Sequence, residues 1–319
     1  MKIAQVSHYV LPVERYGGEQ RVILWNARAL RKLGHEVVLL SPRGTRVGDL
    51  EVVEIPKGLV GYEAYVPSDA DIVHVYATPK EIPRMPYIVT IGGNGKPGET
   101  YCPNTVFVSN DHARRHGSSQ FVHNGVDPEE FIYREVKDDY FLFLSKASWK
   151  VKGLRTALEI ARKTGIRLVV AGGRGISLNR RIKYAGMVGG KRKAELLAGA
   201  RALLFPIQWE EPFGLVTAEA LMSGTPVIAS DRGSMPEIVT GEVGFRCRGA
   251  DEMETAVRSV GRISPAACRA RAEKLFTAEA MARGYLEKYH EILEHGRLGV
   301  SRSSSGAVAR NSVTSATGA

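Results

Sequence analysis

Long apolar runs are missing from this 319-residue chain. The longest, at 166–172 and 201–207, fall far short of the ~20 residues that a membrane-spanning helix needs. Cysteine is scarce. Cys102, Cys247 and Cys268 are odd in number and widely spaced, which excludes a disulfide framework. No CxxC pair marks a zinc site, and such cysteine usage fits a reducing, cytoplasmic setting. A secretory pattern is also absent: Met1-Lys2 leads straight into the short run 3–6 and a polar Ser-His. No GxGxxG follows the first apolar run, which argues against a dinucleotide dehydrogenase. Residues 301–319 contain neither an acid nor an aromatic, so 296–319 reads as a disordered tail.

What is present is the composition of a globular protein, with 44% hydrophobic and 24% charged residues. The length suits two domains. Lysine and arginine exceed aspartate and glutamate, 44 against 34, for a net charge of +10. Such a surface favours anionic partners: phosphorylated ligands, acidic lipid head groups or nucleic acid. Nucleic acid has little further support, because aromatic and basic residues are not interleaved.

Short apolar runs alternate with helical periodicity. Strands are expected at 2–7, 36–40, 71–76, 87–91, 105–109 and 120–123, with a helix at 19–33 that Gly34 ends. The pattern then restarts. Strands are expected at 140–144, 167–171, 202–206 and 226–230, with helices at 154–164, 191–199 and 213–222. Continuous apolar strands separated by helices indicate parallel sheets covered on both faces. The fold class is therefore α/β: two doubly wound, Rossmann-like domains, 1–136 and 137–276, with a cleft between them. The polar stretch 133–139 is the linker. A last amphipathic helix, 277–295, carries Ala278, Met281, Ala282, Tyr285, Tyr289 and Ile292 on one stripe and is expected to pack back across the domains.

Some motifs are imitations. Asp69-Ala70-Asp71 reads as a turn before a strand rather than a metal pair. Gly92-Gly93-Asn94-Gly95-Lys96 resembles a phosphate loop, but Pro97 stands where a magnesium-binding Ser or Thr would be. Arg114-Arg115-His116 and Lys191-Arg192-Lys193 read as solvated faces. Three features carry chemistry. Gly17-Gly18-Glu19 joins the first strand to the first helix, and its glycines let a ligand approach the backbone and helix amides. Lys146 and Lys152-Gly153, with Lys150 between them, follow the first strand of the second half, where ammonium groups would suit a diphosphate. Glu210-Glu211-Pro212-Phe213-Gly214-Leu215, with Glu219 beyond, follows the strand at 202–206. Its Gly214 opens helix amides to a phosphate, and its two carboxylates suit separate parts of one extended ligand.

At these residues the chain resembles the retaining GT-B glycosyltransferases of the family-four type over about residues 1–294. The shared pattern includes the Gly-Gly turn, Gly34-His35-Glu36-Val37 and Asn124-Gly125-Val126-Asp127. It continues with a basic residue and Lys-Gly at Lys146 and Lys152-Gly153, and with the acidic pair Glu211 and Glu219. Gly224-Thr225-Pro226-Val227 and Pro236-Glu237 complete it. The resemblance implies that Glu211 orients the donor hexose and acts catalytically, and that Glu219 binds the ribose. It implies that Lys146 and Lys152 hold the diphosphate with the backbone of Phe213, Gly214, Leu215 and Val216, and that Gly17 approaches from the other domain. The implied reaction moves a hexose, with retention, from a nucleoside diphosphate sugar to a glycan, lipid-linked or small-molecule acceptor. It needs neither metal nor cofactor, and the basic surface would allow peripheral contact with an anionic membrane.

Two positions depart from the pattern. Lys146 stands where the family commonly has Arg, keeping charge but losing the bidentate fork. Gly92 stands where family members often carry the histidine of a Thr-x-His turn. That absence keeps a second reading in view, a nucleotide-sugar-binding module without transfer. A sugar-nucleotide epimerase is a third, against which the Pro-Phe-Gly acidic motif argues.

Overall fold

The computed structural model describes residues 1–13, 17–58, 60–96 and 98–299. The first half runs β1 (Lys2–Val6), α1 (Gly18–Lys32), β2 (Glu36–Pro42), β3 (Glu51–Ile55), β4 (Ile72–Val75), β5 (Tyr87–Ile91), β6 (Thr105–Phe107) and α2 (Asn110–Arg115). The second runs β7 (Phe141–Leu144), α3 (Leu154–Thr164), β8 (Leu168–Ala171), β9 (Ile182–Gly186), α4 (Gly190–Gly199), β10 (Ala202–Phe205), α5 (Leu215–Met222), β11 (Val227–Ser230), α6 (Met235–Ile238), β12 (Gly244–Cys247) and α7 (Ala250–Ser259). Then come α8 (Pro265–Leu275) and α9 (Ala278–His295).

Each half is one parallel sheet, ordered β3-β2-β1-β4-β5-β6 and β12-β11-β10-β7-β8-β9. The inner strands are buried because helices cover both faces, as in β1, β4 and β10. Strand order reverses between β1 and β4 in one sheet and between β7 and β10 in the other. At such a switch point two connections leave in opposite directions and open a crevice beyond the carboxyl ends. The Gly17 turn follows β1, the lysine loop follows β7 and the acidic loop follows β10. Topology alone therefore brings all three to crevices.

The expected inner strands and helices are present to within a residue or two at their ends. Three strands escaped the sequence pattern, β3, β9 and β12, and all lie at sheet edges. Edge strands bury less, so β3 (Glu-Val-Val-Glu-Ile) and β12 (Gly-Phe-Arg-Cys) admit charge and lose the continuous apolar signature. The strand expected at 120–123 is absent. A single bridge joins Phe121 to Phe107, after which the chain turns through Gly125 to a second bridge, between Val126 and Thr277. The helix expected from 213 starts at Leu215, because Gly214 is left-handed (φ 77°).

The last helix buries the expected stripe of six residues. It packs on α1 and β5, so the end of the second half returns to the first. Its tyrosines enter a buried polar chain. The Tyr289 hydroxyl lies 2.7 Å from His74 Nδ1, His74 Nε2 lies 2.7 Å from Thr90 Oγ1, and Thr90 meets the Tyr285 hydroxyl at 2.9 Å. Part of the expected tail is anchored: the Leu298 amide donates to Asn104 at 3.1 Å and the Gly299 amide to Glu291 at 2.6 Å. Residues 300–319 lie outside the described residues.

Burial pushes His74 and His112 down to about 3. Unfolded, both imidazoles titrate near 6.5. Below that pH the unfolded chain takes up protons that the folded chain refuses. Their contribution is therefore intact above pH 6.5 and is lost as pH falls. Each should cost about 1.4 kcal/mol of stability between pH 7.5 and 5.5. Urea unfolding at the two pH values checks this, and equal stabilities would refute it.

Candidate active site

The wall from the first half is the start of α1. Gly17 has φ 153°, and a Cβ there would run into the Gln20 side chain. Among the described residues no side chain caps this helix, so its first amides can face an anion. Gly18 faces the other half so closely that a Cβ would lie 3.3 Å from Leu215 Cδ2. Arg21, one turn further, points into the same space.

The opposite wall comes from three connections of the second sheet. After β7 the chain makes a short 3-10 turn, Lys150–Lys152, and enters α3 through left-handed Gly153 (φ 78°). A Cβ at Gly153 would collide with the Pro206 carbonyl, so only glycine lets the lysine turn press against the end of β10. The Gln208 amide donates to Val151 O at 2.7 Å and fastens the two loops together. Lys152 is thereby delivered to the acidic loop.

Two buried ion pairs result. Lys152 Nζ lies 2.7 Å from Glu211 Oε2, an oxygen that also accepts from Trp209 Nε1 at 2.5 Å. Lys193 Nζ lies 2.6 Å from Glu219 Oε1. All four residues are less than 10% exposed. Lys152 also stands 4.6 Å from the centroid of the Trp209 ring, and Lys193 stands 5.3 Å from that of Phe131. Charges taken so far from water persist only when paired. The pairs line one cavity of about 210 Å³, together with Gly17, Gly18, Gly214, Leu215 and Val216. Leu215 and Val216 open α5, so their amides belong to a bare helix N-terminus at that cavity.

One expectation is corrected, and two expected residues stand apart from this cavity. Lys193 is not on a solvated face; α4 turns it inward, and it is the nearest cation to Glu219. Lys146 is not among the residues lining the cavity, and its ammonium sits 4.8 Å over the Trp149 ring. Phe213 is buried in the core, packs against Phe276 and reaches only a smaller neighbouring cavity. Trp209 was not picked out beforehand, and an indole two residues before the acidic pair is a signal that could have been used.

The acidic loop is also held from the other half. Ser109 Oγ donates to Pro212 O at 2.6 Å, and Asn94 Nδ2 donates to Glu210 O at 2.8 Å. The Glu237 carboxylate accepts from the Asn110 and Asp111 amides at 2.9 and 2.7 Å and meets His123 Nε2 at 2.9 Å. Burial works against that carboxylate, yet His123 and the two amides outweigh it and hold its pKa below the ordinary value. The phosphate-loop imitation at 92–96 thus serves as a strut through Asn94. Among the described residues no group of three or more His, Cys, Asp and Glu side chains gathers as metal ligands do, and no helix is long and apolar enough to cross a membrane.

Two doubly wound sheets facing each other across an anion-friendly cleft define the GT-B architecture, and comparison with known proteins agrees. Residues 138–263 match the family described as Glycosyl transferases group 1. An uncharacterised glycosyltransferase of Methanocaldococcus jannaschii is 24% identical over 261 residues, which make up 60% of this chain and 64% of that protein. The match thus spans just under two thirds of that relative's length. Among solved structures, AviGT4, a glycosyltransferase involved in avilamycin A biosynthesis, is 27% identical with a TM-score of 0.79, covering 92% of this chain and 98% of its own. Anabaena Alr3699/HepE, solved in complex with UDP-glucose, shares the fold at 15% identity and a TM-score of 0.67, covering 91% and 100%. Residues 138–263 are thus similar to the group 1 glycosyl transferases, and the fold is that of GT-B glycosyltransferase structures.

Replacing Lys193 by Met would leave Glu219 buried without its counter-charge. Stability should fall by about 3 kcal/mol, whereas Lys191→Met, on the exposed side of α4, should change it by less than about 0.5 kcal/mol. Denaturant midpoints of the two variants check the difference.

Proposed function

We propose that this protein is a retaining, metal-independent hexosyltransferase that uses a nucleoside diphosphate sugar. One observation carries the reading: two buried carboxylate–ammonium pairs and a bare helix N-terminus line one cleft. A nucleotide sugar has three parts with different demands, and the cleft offers a group for each. Glu219, beside Lys193, would accept the ribose hydroxyls. Lys152 and the amides of Leu215 and Val216 would take the diphosphate, with Gly17 and Gly18 closing over it. Glu211 would orient the hexose.

Anions bind well at helix N-termini, and lysine adds a full charge that strengthens as the leaving group becomes more negative. In the reaction the bond from the anomeric carbon to the diphosphate oxygen breaks, and a bond from the same carbon to an acceptor oxygen forms on the same face. The acceptor's hydroxyl proton passes to the departing diphosphate. Lys146 would act at longer range, from beside Trp149. The net charge of +10 supports an acceptor held near an anionic membrane, such as a lipid-linked sugar.

Glu211→Gln keeps the shape of the carboxylate and removes its charge. It should cut transfer by about 10²–10³-fold while the circular dichroism spectrum stays unchanged. Lys152→Ala should weaken UDP or GDP binding more than it weakens binding of the free hexose. A thermal-shift screen of uridine, guanosine and adenosine diphosphate sugars identifies the donor, since a ligand of the native state raises Tm. Donor binding with neither transfer nor hydrolysis would favour a binding module instead. Unchanged turnover in the Glu211 variant would remove that residue from its role.

A further inference from the structure

Beside the donor cleft lies a second, smaller cavity of about 130 Å³. Gly18, Glu211, Gly214 and Leu215 line both cavities, so they adjoin where the hexose of a donor would end. Beyond Pro212 and Phe213, its remaining wall comes from the first half and includes Glu19, Thr90, Gly92 and Asn124. Two carboxylates are in this lining and no lysine, arginine or histidine is among its described residues. In the donor cleft, by contrast, Arg21, Lys152 and Lys193 accompany the carboxylates Glu211 and Glu219.

Glu19 is held in a defined pose. The Tyr9 hydroxyl donates to Glu19 Oε2 at 2.6 Å. Oε1 is turned towards Gly92, and a Cβ at position 92 would lie 3.3 Å from it. The carboxylate therefore occupies the space into which a side chain at 92 would project. Burial raises the Glu19 pKa above the ordinary carboxylate value, against the opposing pull of Tyr9 and His8. An acid kept in such a place, with a phenol assigned to one oxygen, is built to hold something polar. A second observation points the same way: Asn124 Oδ1, on the wall of the same cavity, is buried and has no hydrogen-bond partner among the described residues. An amide oxygen left so is an acceptor awaiting a donor.

We propose that Glu19 selects the acceptor: its carboxylate and Asn124 Oδ1 accept hydrogen bonds from hydroxyl or amino groups that flank the reacting hydroxyl. The acceptor's reacting portion is then a neutral or amino-bearing polyol, such as a sugar ring, and not a group carrying carboxylate or phosphate. An anion there would meet the Glu19 carboxylate with no cation in the lining to offset it, since Lys152 reaches Glu211 from the donor side. The transferred proton still goes to the diphosphate, and Glu19 positions without exchanging it. This rests on the hexosyltransferase reading, and it agrees with a lipid-linked acceptor whose phosphate stays outside the cavity.

The test compares the full chain with Glu19→Gln, using the donor found by the thermal-shift screen. Acceptor probes are methyl α-glucopyranoside, methyl α-mannopyranoside and methyl glucosaminide, each neutral or amino sugar set against methyl α-glucopyranosiduronate. The wild-type chain should prefer the neutral and amino glycosides at least tenfold in kcat/KM. In Glu19→Gln the acceptor KM should rise about tenfold and the discrimination against the uronate should shrink, while the affinity for UDP or GDP changes less than twofold. Equal discrimination in the two proteins would overturn the assignment, as would preference for the uronate. Transfer to none of the glycosides with nucleotide binding intact would also count against it. Loss of nucleotide binding in the wild-type chain would instead overturn the underlying hexosyltransferase reading.

Discussion

The molecule turns on the loop from Glu210 to Gly214, a few residues that must be fastened from both sides. On its own sheet it is gripped by Lys152 and Trp209 through Glu211, and by the Gly233 amide through Glu210. From the opposite sheet Ser109 and Asn94 bind its carbonyls, while Glu237 ties the neighbouring turn to the start of α2. Hydrogen bonds to backbone carbonyls fix position without neutralising the carboxylate. The loop can thus be rigid without the opposite sheet engaging the Glu211 carboxylate. This separation of structural and chemical duties explains why so many polar contacts lie near the cleft without lining it.

Buried ion pairs are poor stabilisers, because desolvation takes back most of the Coulomb gain. Two of them within one cavity therefore point to use rather than stability. Each lysine also leans on an aromatic ring, Trp209 or Phe131, which shields it from water. In the proposed reaction a diphosphate would compete with Glu211 for Lys152. Binding would then exchange one anionic partner for another, and the carboxylate would turn to the sugar. Preorganisation of this kind needs little movement at the moment of reaction.

The two cavities divide the substrate by charge. Paired lysines and helix amides face the side on which the nucleotide would sit, and Glu19 with an unpartnered amide oxygen, away from any lysine or arginine of the described lining, faces the other. Gly92 gains meaning in that setting. The missing histidine at this position looked like a loss of function in the sequence. In the fold it is the space that Glu19 fills from α1, with Tyr9 holding it there.

The inner strands, the helices between them and the buried stripe of α9 could be read from the sequence, because continuous burial imposes a pattern on every residue. Edge strands β3, β9 and β12 could not, since half-buried strands tolerate charge. Glu211, Glu219 and Lys152 were legible too: their spacing around a strand end and a glycine is local. Lys193 was not, because nothing in Lys191-Arg192-Lys193 says which of three consecutive cations turns inward; the packing of α4 against α5 determines that. Nor could position 19 announce its pairing with Tyr9 and position 92, which lie on separate connections of one parallel sheet. Chain order sets which loops reach the carboxyl ends, but which side chains meet there depends on distances across two sheets, and these exist only once both have folded and docked.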